Sequence, residues 1–299
     1  MFIYIKRFFY FILTNIAIMA VLSVLVLVLN QFFPWILDAN GGMIGLLLIA
    51  TVIGFTWSFL SLFLSKWSAK RAYNISLLSA WNISDEKLKV VWNTVERIAQ
   101  INQIQMPEVG YYESAEPNAF ATGATKNSSL VAVSTWLLEA MTKDEIEWVI
   151  GHEMAHILNG DMVTLTLIQW VMNTFVYFVS TLLARAISSY LARDNENVSA
   201  LTYSVISLVL QIGIGFLASL VVMYVSRTRE YRADLGGATY TSKSKMIAWL
   251  TRLKKITAKA SEHDPKMAAF MITEPDSFFS THPSLDNRIK ALENNYTLS

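Results

Sequence analysis

The sequence predicts a mainly α-helical membrane protein, with four transmembrane helices and a polar α+β part that contains a small sheet. Three observations carry this expectation. Hydrophobic residues make up 54% of the 299 positions and charged residues only 16%, whereas about a quarter of the residues in a soluble domain are charged. Four uncharged runs reach the roughly 20 residues that a helix needs to cross about 30 Å of hydrocarbon. The polar stretches between them carry helical and strand periodicities of their own.

The apolar runs are Phe8–Leu29, Gly42–Leu64, Met162–Ala184 and a fourth inside Asn197–Ser226. The first is longer than the apolar core of a secretory signal and lacks a small-residue cleavage site, so it reads as a retained span. The third and fourth carry Thr164, Thr166, Gln169, Asn173, Thr174 and Gln211. Polar positions within a span are expected to face other helices or a wet cavity. For the third run, a buried helix of a soluble core is the competing reading. The expected organisation is thus a helix pair in 1–65, a polar segment in 66–161, a second pair in 162–226 and a polar tail in 227–299.

Basic residues give the orientation. Lys6 and Arg7 precede the first run, and Lys66, Lys70 and Arg71 follow the second; Arg227, Arg229 and Arg232 follow the fourth. The loop 30–41 between the first two runs has no Lys or Arg. The positive-inside rule then places the N-terminus and both polar segments in the cytoplasm. Loop 185–200 has charges of both signs and does not decide. A formal net charge of +1 gives no footprint for nucleic acid. With no cysteine in the chain, any metal must be held by His, Asp or Glu.

Within the polar segments, Ser84 before Asp85 and Glu86 marks a helix start, with Leu88, Val91, Val95 and Ile98 at helical spacing. "PEVGYY" reads as a short extended patch, and "NAFATGATKNSSLVAVST" as a hairpin around Gly123 and a polar tip. Thr142 with Glu145 has the capping-box spacing, and Gly160 stands where a C-cap glycine belongs. After the fourth run, "SRTREYRADLGGATY" continues as helix to about Gly236. A further helix carries Met246, Ile247, Leu250 and Leu253, and "SLDNRIKALEN" forms a last short one.

The helix between Thr142 and Gly160 carries the chemistry. His152 and His156 are four apart, so they leave the same helix face and can hold one zinc ion. Glu153 lies on the adjoining edge of that face, within reach of a water that the metal acidifies. A catalytic zinc needs a third protein ligand. Glu230 in "REYRAD" is a better candidate than His263 or His282, because Glu230 and Asp234 share a helix face at i, i+4. Glu230 would bind zinc and Asp234 would orient a ligand imidazole. Read on spacing alone, the pair is equally a solvated salt-bridge cluster.

"VIGHEMAHILNGDMVTLTLIQ", "NAFATG", "SRTREYRAD" and "THPSLDNRI" together resemble the HtpX-type bacterial membrane zinc metalloproteases, relatives of the prenyl-protein (CAAX) endopeptidases. The likeness covers nearly the whole chain. It implies a zincin-like catalytic domain on four spans in the bacterial inner membrane, facing the cytoplasm. One zinc ion would be held by His152, His156 and Glu230, with Glu153 as base and Asp234 behind the ligands. It also implies that Asn118 binds substrate backbone, that His282 donates to the oxyanion and that Arg288 pairs with a carboxylate near the site. The implied substrates are unstructured or misfolded proteins, membrane proteins among them, in quality control. The chain departs from its relatives at Gly151, often Ala, and at Met154-Ala155; both lie between ligands and are expected to leave the chemistry intact.

Two rival readings use the same residues. A protease cutting within the bilayer would immerse the ligand helix in lipid, which the three carboxylates of "TKDEIEW" just upstream disfavour. A non-hydrolytic zinc-binding transporter or regulatory protein would place acidic or His ligands inside the spans, and the runs contain none.

Overall fold

The computed structural model describes residues 31, 42–114, 118–191, 200–263 and 282–294; the first apolar run lies outside them. The described helices are α1 (Gly42–Tyr73), α2 (Glu86–Ile101), α3 (Thr135–Ala140), α4 (Lys143–Asn159), α5 (Asp161–Leu191), α6 (Ala200–Tyr240), α7 (Lys243–His263) and α8 (Leu285–Glu293). The strands are β1 (Ser76–Leu77), β2 (Glu108–Tyr112), β3 (Ala119–Thr125) and β4 (Ser128–Ser134).

α1, α5 and α6 are each long and apolar enough to cross a membrane, which accounts for three of the four expected spans. Leu167, Val171 and Phe175 of α5 stand exposed, so this helix is not the buried core helix that competed for the third run. α6 has 41 residues and is therefore about 60 Å long, roughly twice the thickness of a hydrocarbon layer. Its last turns, from Arg227 onward, carry charge and must project beyond the apolar part. The expected stop near Gly236 is corrected to Tyr240, and Asp85 rather than Ser84 caps α2, accepting from the amides of Lys87 and Leu88.

The described chain forms two compact units. One comprises residues 42–61 and the described part of Leu165–Val222. Here α1 meets α5 through small and polar residues. Asn173 Nδ2 donates to Ser58 Oγ at 3.3 Å and Trp170 Nε1 to the Thr51 carbonyl at 3.2 Å. A Cβ on Gly54 would come within 2.5 Å of Thr174 Oγ1, so glycine sets how closely these helices approach. Asn173 and Thr174 thus face a neighbouring helix, as their polarity predicts.

The other unit holds Leu62–Thr164 and the described chain from Met223 onward. Its sheet has the order β1-β2-β4-β3. β4 is central, antiparallel to β3 and parallel to β2, and all its residues but the first are buried. The expected hairpin is β3–β4, with a register shift between Gly123 and Thr125. Gly123 has φ 139°, and a Cβ there would strike Ser128 O at 2.2 Å; only glycine fits that bulge. β3 is an edge strand, since among the described residues no strand pairs with its outer side.

α4 packs between α2, the sheet and α7. Ile146, Ile150, Met154 and Ile157 recur along one face and are fully buried. They meet Val91, Val95 and Ile98 of α2, Val131 and Val133 of β4, and Met246 and Leu250 of α7 within one core. Each such side chain contributes about 1.5–3 kcal/mol on leaving water. Thr142 and Glu145 form the capping box as expected, and Gly160 closes α4 in the left-handed conformation at φ 70°. The face turned away from this core is left for His152 and His156, with Glu153 on the edge between the two.

Candidate active site

Close packing of small residues brings α6 to α4. A Cβ on Gly236 would lie 2.7 Å from Ala155 Cβ, and one on Gly237 would lie 3.1 Å from the His152 backbone nitrogen. On the facing side, a Cβ on Gly151 would meet Thr241 Cγ2 at 3.0 Å. Gly236, read in sequence as about where the helix ends, instead forms with Gly237 the notch that lets the backbones touch. Arg97 of α2 ties the arrangement together, donating to Glu147 at 2.6 Å and to the Tyr240 carbonyl at 3.0 Å.

With α6 held there, Glu230 reaches both imidazoles. His152 Nε2 and His156 Nε2 each lie 3.4 Å from a Glu230 oxygen and 3.2 Å from one another. Among the described residues, His152, His156 and Glu230 are the group whose donor atoms could hold a metal ion, all within 4.8 Å. Ligands of a tetrahedral zinc at about 2.1 Å stand about 3.4 Å apart, so the donor set fits that ion. His152 and Glu230 are buried, and so are the residues behind them, Asp161, Asp234 and Arg288.

Each imidazole turns its Nδ1 to a carboxylate. His152 Nδ1 lies 2.9 Å from Asp234 Oδ1, though off the line of a good hydrogen bond. His156 Nδ1 is hydrogen-bonded to Asp161 Oδ2 at 2.6 Å. Arg288 of α8 grips Asp234 with Nε at 2.8 Å and Nη2 at 2.6 Å, and its Nη1 lies 3.9 Å from Glu230. The carboxylate that Arg288 pairs with is Asp234. Asp161 is the residue that sequence reasoning missed.

Charge follows from this geometry. Burial lowers the His152 imidazole, but Asp234 and Glu230 outweigh it and leave the group above its ordinary value. Burial likewise opposes the His156 proton, yet Asp161 and Glu230 raise that ring to about 10. For Glu230, burial is overcome by the two imidazoles and Arg288, which hold its carboxyl well below the usual range. Glu153 is pushed upward, first by burial and also by Glu230, against the two imidazoles and a hydrogen bond from the Ala121 backbone. A carboxyl raised in this way is suited to accept a proton and return it.

His282 stands at the rim, half-buried, with Nε2 3.7 Å from Glu230 Oε2. Burial and the neighbouring cations Arg288, His152 and His156 lower it despite Glu230, so its ring is a neutral donor at pH 7. Asn118 precedes β3. Its carbonyl accepts from the Ser134 amide at 2.8 Å and its own amide donates to Ser134 Oγ at 3.0 Å. Its main chain is therefore engaged with β4. By the alternation of an antiparallel ladder, Ala119 and Ala121 face the open edge, where the Ala121 amide is already given to Glu153 and its carbonyl is left. Any main-chain pairing with a bound segment falls to those two alanines, and only the side chain of Asn118 is left for it.

A half-buried carboxyl beside three side chains that could hold a metal ion, and an open strand edge, suit peptide hydrolysis, and the class so defined is the membrane metallopeptidases. Comparison with known proteins narrows it. Peptidase family M48 matches residues 84–296, and the chain belongs to that family. It is similar to Protease HtpX of Tolumonas auensis, with 47% identity over 293 residues, covering 96% of this chain and 98% of that one. It is similar also to a Protease HtpX homolog of Neisseria meningitidis serogroup C, with 48% identity over 289 residues, covering 96% and 99%. Among solved structures it resembles S. mikatae Ste24p with a TM-score of 0.69 at 17% identity. The likeness covers 97% of this chain and 66% of that longer one, and it speaks for the fold.

Proposed function

We propose that this chain is a zinc-dependent endopeptidase of the bacterial inner membrane. It cuts unstructured segments of misfolded proteins, membrane proteins among them, at the cytoplasmic surface. The observation that carries the reading is the 3.2–3.4 Å triangle of His152, His156 and Glu230, with Glu153 beside it under the β3 edge. Zinc, when bound, would supply a Lewis acid that acidifies water and polarises the scissile carbonyl.

The chain's own residues then have separate tasks. His152, His156 and Glu230 hold the ion, while Asp234 and Asp161 fix the two rings. Glu153 takes a proton from the attacking water and delivers it to the leaving amine. His282 donates to the developing oxyanion. Ala119 and the Ala121 carbonyl align an extended segment by main-chain hydrogen bonds, and the Asn118 side-chain amide steadies it next to the scissile bond. Main-chain recognition needs an unfolded stretch and asks little of its sequence. The charged end of α6, which carries Glu230 and Asp234 directly beyond an apolar run, favours a cleft at the membrane surface. Arg227, Arg229 and Arg232 favour the cytoplasmic side.

The test compares the purified protein with Glu153→Gln, both stripped of metal and reloaded with zinc, on an unfolded model protein. Cleavage by the first only, with equal zinc content in both, supports the reading. Equal zinc content with cleavage by neither overturns it in favour of a structural or regulatory ion.

A further inference from the structure

We infer that Asp161 is a positioning residue for the metal centre, orienting His156 and thereby setting metal affinity. The inference rests on the reading of His152, His156 and Glu230 as the ligands. Asp161 is buried, and its Oδ2 lies 2.6 Å from His156 Nδ1. Of the two Nδ1–carboxylate contacts behind the histidine pair, this is the one with hydrogen-bond geometry, since Nδ1 of His152 makes no hydrogen bond to Asp234. The bond fixes the tautomer: with the proton on Nδ1, the Nε2 lone pair of His156 faces Glu230 and His152. A carboxylate on that proton also makes the ring a stronger donor to a cation.

Asp161 is itself held. It is the first residue of α5, directly after the left-handed turn at Gly160. Its carbonyl accepts from Arg229 Nη1 at 3.0 Å, the residue next to Glu230 on α6. The two rings are thus oriented from different helices, His156 from the start of α5 and His152 from the end of α6. Asp161 does not touch the cleaved bond; it acts through His156.

The experiment measures zinc affinity by competition with a chromophoric chelator, in a Glu153→Gln background that prevents self-cleavage. Asp161→Asn and Asp161→Ser are compared with that parent, and cobalt spectra report the ligand field. Loss of an orienting carboxylate costs about 10–100-fold in metal affinity, and that fall, with an altered cobalt spectrum, is expected. Affinities within about twofold of the parent and an unchanged spectrum overturn the inference while leaving the zinc reading intact. A parent that binds no zinc overturns the zinc reading itself. Should both variants fail to fold, nitrogen-15 NMR of the unsubstituted, zinc-loaded protein decides. A solvent-protected Nδ1 proton on His156 supports the role of Asp161, and a freely exchanging one overturns it.

Discussion

Arg288 holds Asp234 by two parallel hydrogen bonds, Nε to Oδ2 and Nη2 to Oδ1, across 54 residues of chain. Both side chains are almost fully buried, so neither can be repaid by water if the other is lost. Removing one partner of such a pair costs about 3–5 kcal/mol. Arg288→Ala is expected to destabilise the protein by that order and to weaken zinc binding, because Asp234 no longer keeps its place against His152. Thermal unfolding with and without chelator checks both effects.

The same pair predicts an acid limit. Burial opposes the Asp234 carboxylate, but Arg288 and His152 hold its carboxyl below the ordinary value. A depressed carboxyl contributes stability that is complete above the unfolded value, about pH 4. That contribution is lost as pH falls through the lower, folded value. Without Arg288 the folded value rises, so the variant should begin to lose structure at a less acid pH. Coincident acid-unfolding curves for the two proteins would contradict this.

Zinc binding should expel protons. His156 is raised to about 10 and His152 is raised as well, so at pH 7 the His156 ring of the metal-free protein is protonated, and ligation requires it neutral. The affinity for zinc is therefore expected to keep climbing above the ordinary histidine value of about 6.5, instead of levelling there. Calorimetry at pH 7 in buffers of different ionisation enthalpy should show heats that vary with the buffer; identical heats would refute it. The metal-free protein has the opposite dependence. Its raised imidazoles stabilise it fully below about pH 6.5, and that share is lost as pH rises through the folded values, for His156 about 10.

The glycine notch predicts a loss from a larger residue. In an open helix, replacing Gly236 by alanine would gain up to about 1 kcal/mol of helix propensity. Here the new Cβ would stand 2.7 Å from Ala155 Cβ, closer than packed carbons approach, and overpacking typically costs about 1–3 kcal/mol. The clash outweighs the propensity, and Gly236→Val should lower both stability and zinc affinity as Glu230 is pushed back. Unchanged affinity in that variant would mean that α6 does not depend on the notch for its position.

Thr142→Ala isolates the stability of the ligand helix. Thr142 and Glu145 exchange hydrogen bonds at the start of α4, and losing such a cap costs about 0.5–2 kcal/mol. The melting temperature should fall while the spectrum of bound cobalt stays the same, since the cap is nearly three turns from His152.

What could be read in advance depended on how local each signal was. The His152–His156 spacing, the capping box and the Gly160 stop are set by neighbours within a few turns, so helical periodicity exposes them. The β3–β4 hairpin was equally readable from Gly123 and its polar tip. The parallel pairing of β2 with β4 joins stretches about 20 residues apart, and nothing in either strand names its partner. Asp161 escaped for a related reason. It is five residues past His156 and beyond a helix end, where no periodic rule places a neighbour; the left-handed turn at Gly160 folds it back onto the ring. Gly236 was misread because glycine usually ends a helix, and here, with Gly237, it marks the contact. The engagement of the Asn118 main chain by Ser134 could not be read in advance, because it depends on the pairing of β3 with β4.

The order in which the parts of the centre occur along the chain has a consequence for synthesis. His152 and His156 emerge well before Glu230, and Arg288 follows 54 residues after Asp234. A growing polypeptide therefore carries the histidines long before it can close a three-ligand centre, and it cannot anchor Asp234 until α8 has been made. A chain interrupted before α8 therefore leaves the buried Asp234 carboxylate without its Arg288 partner.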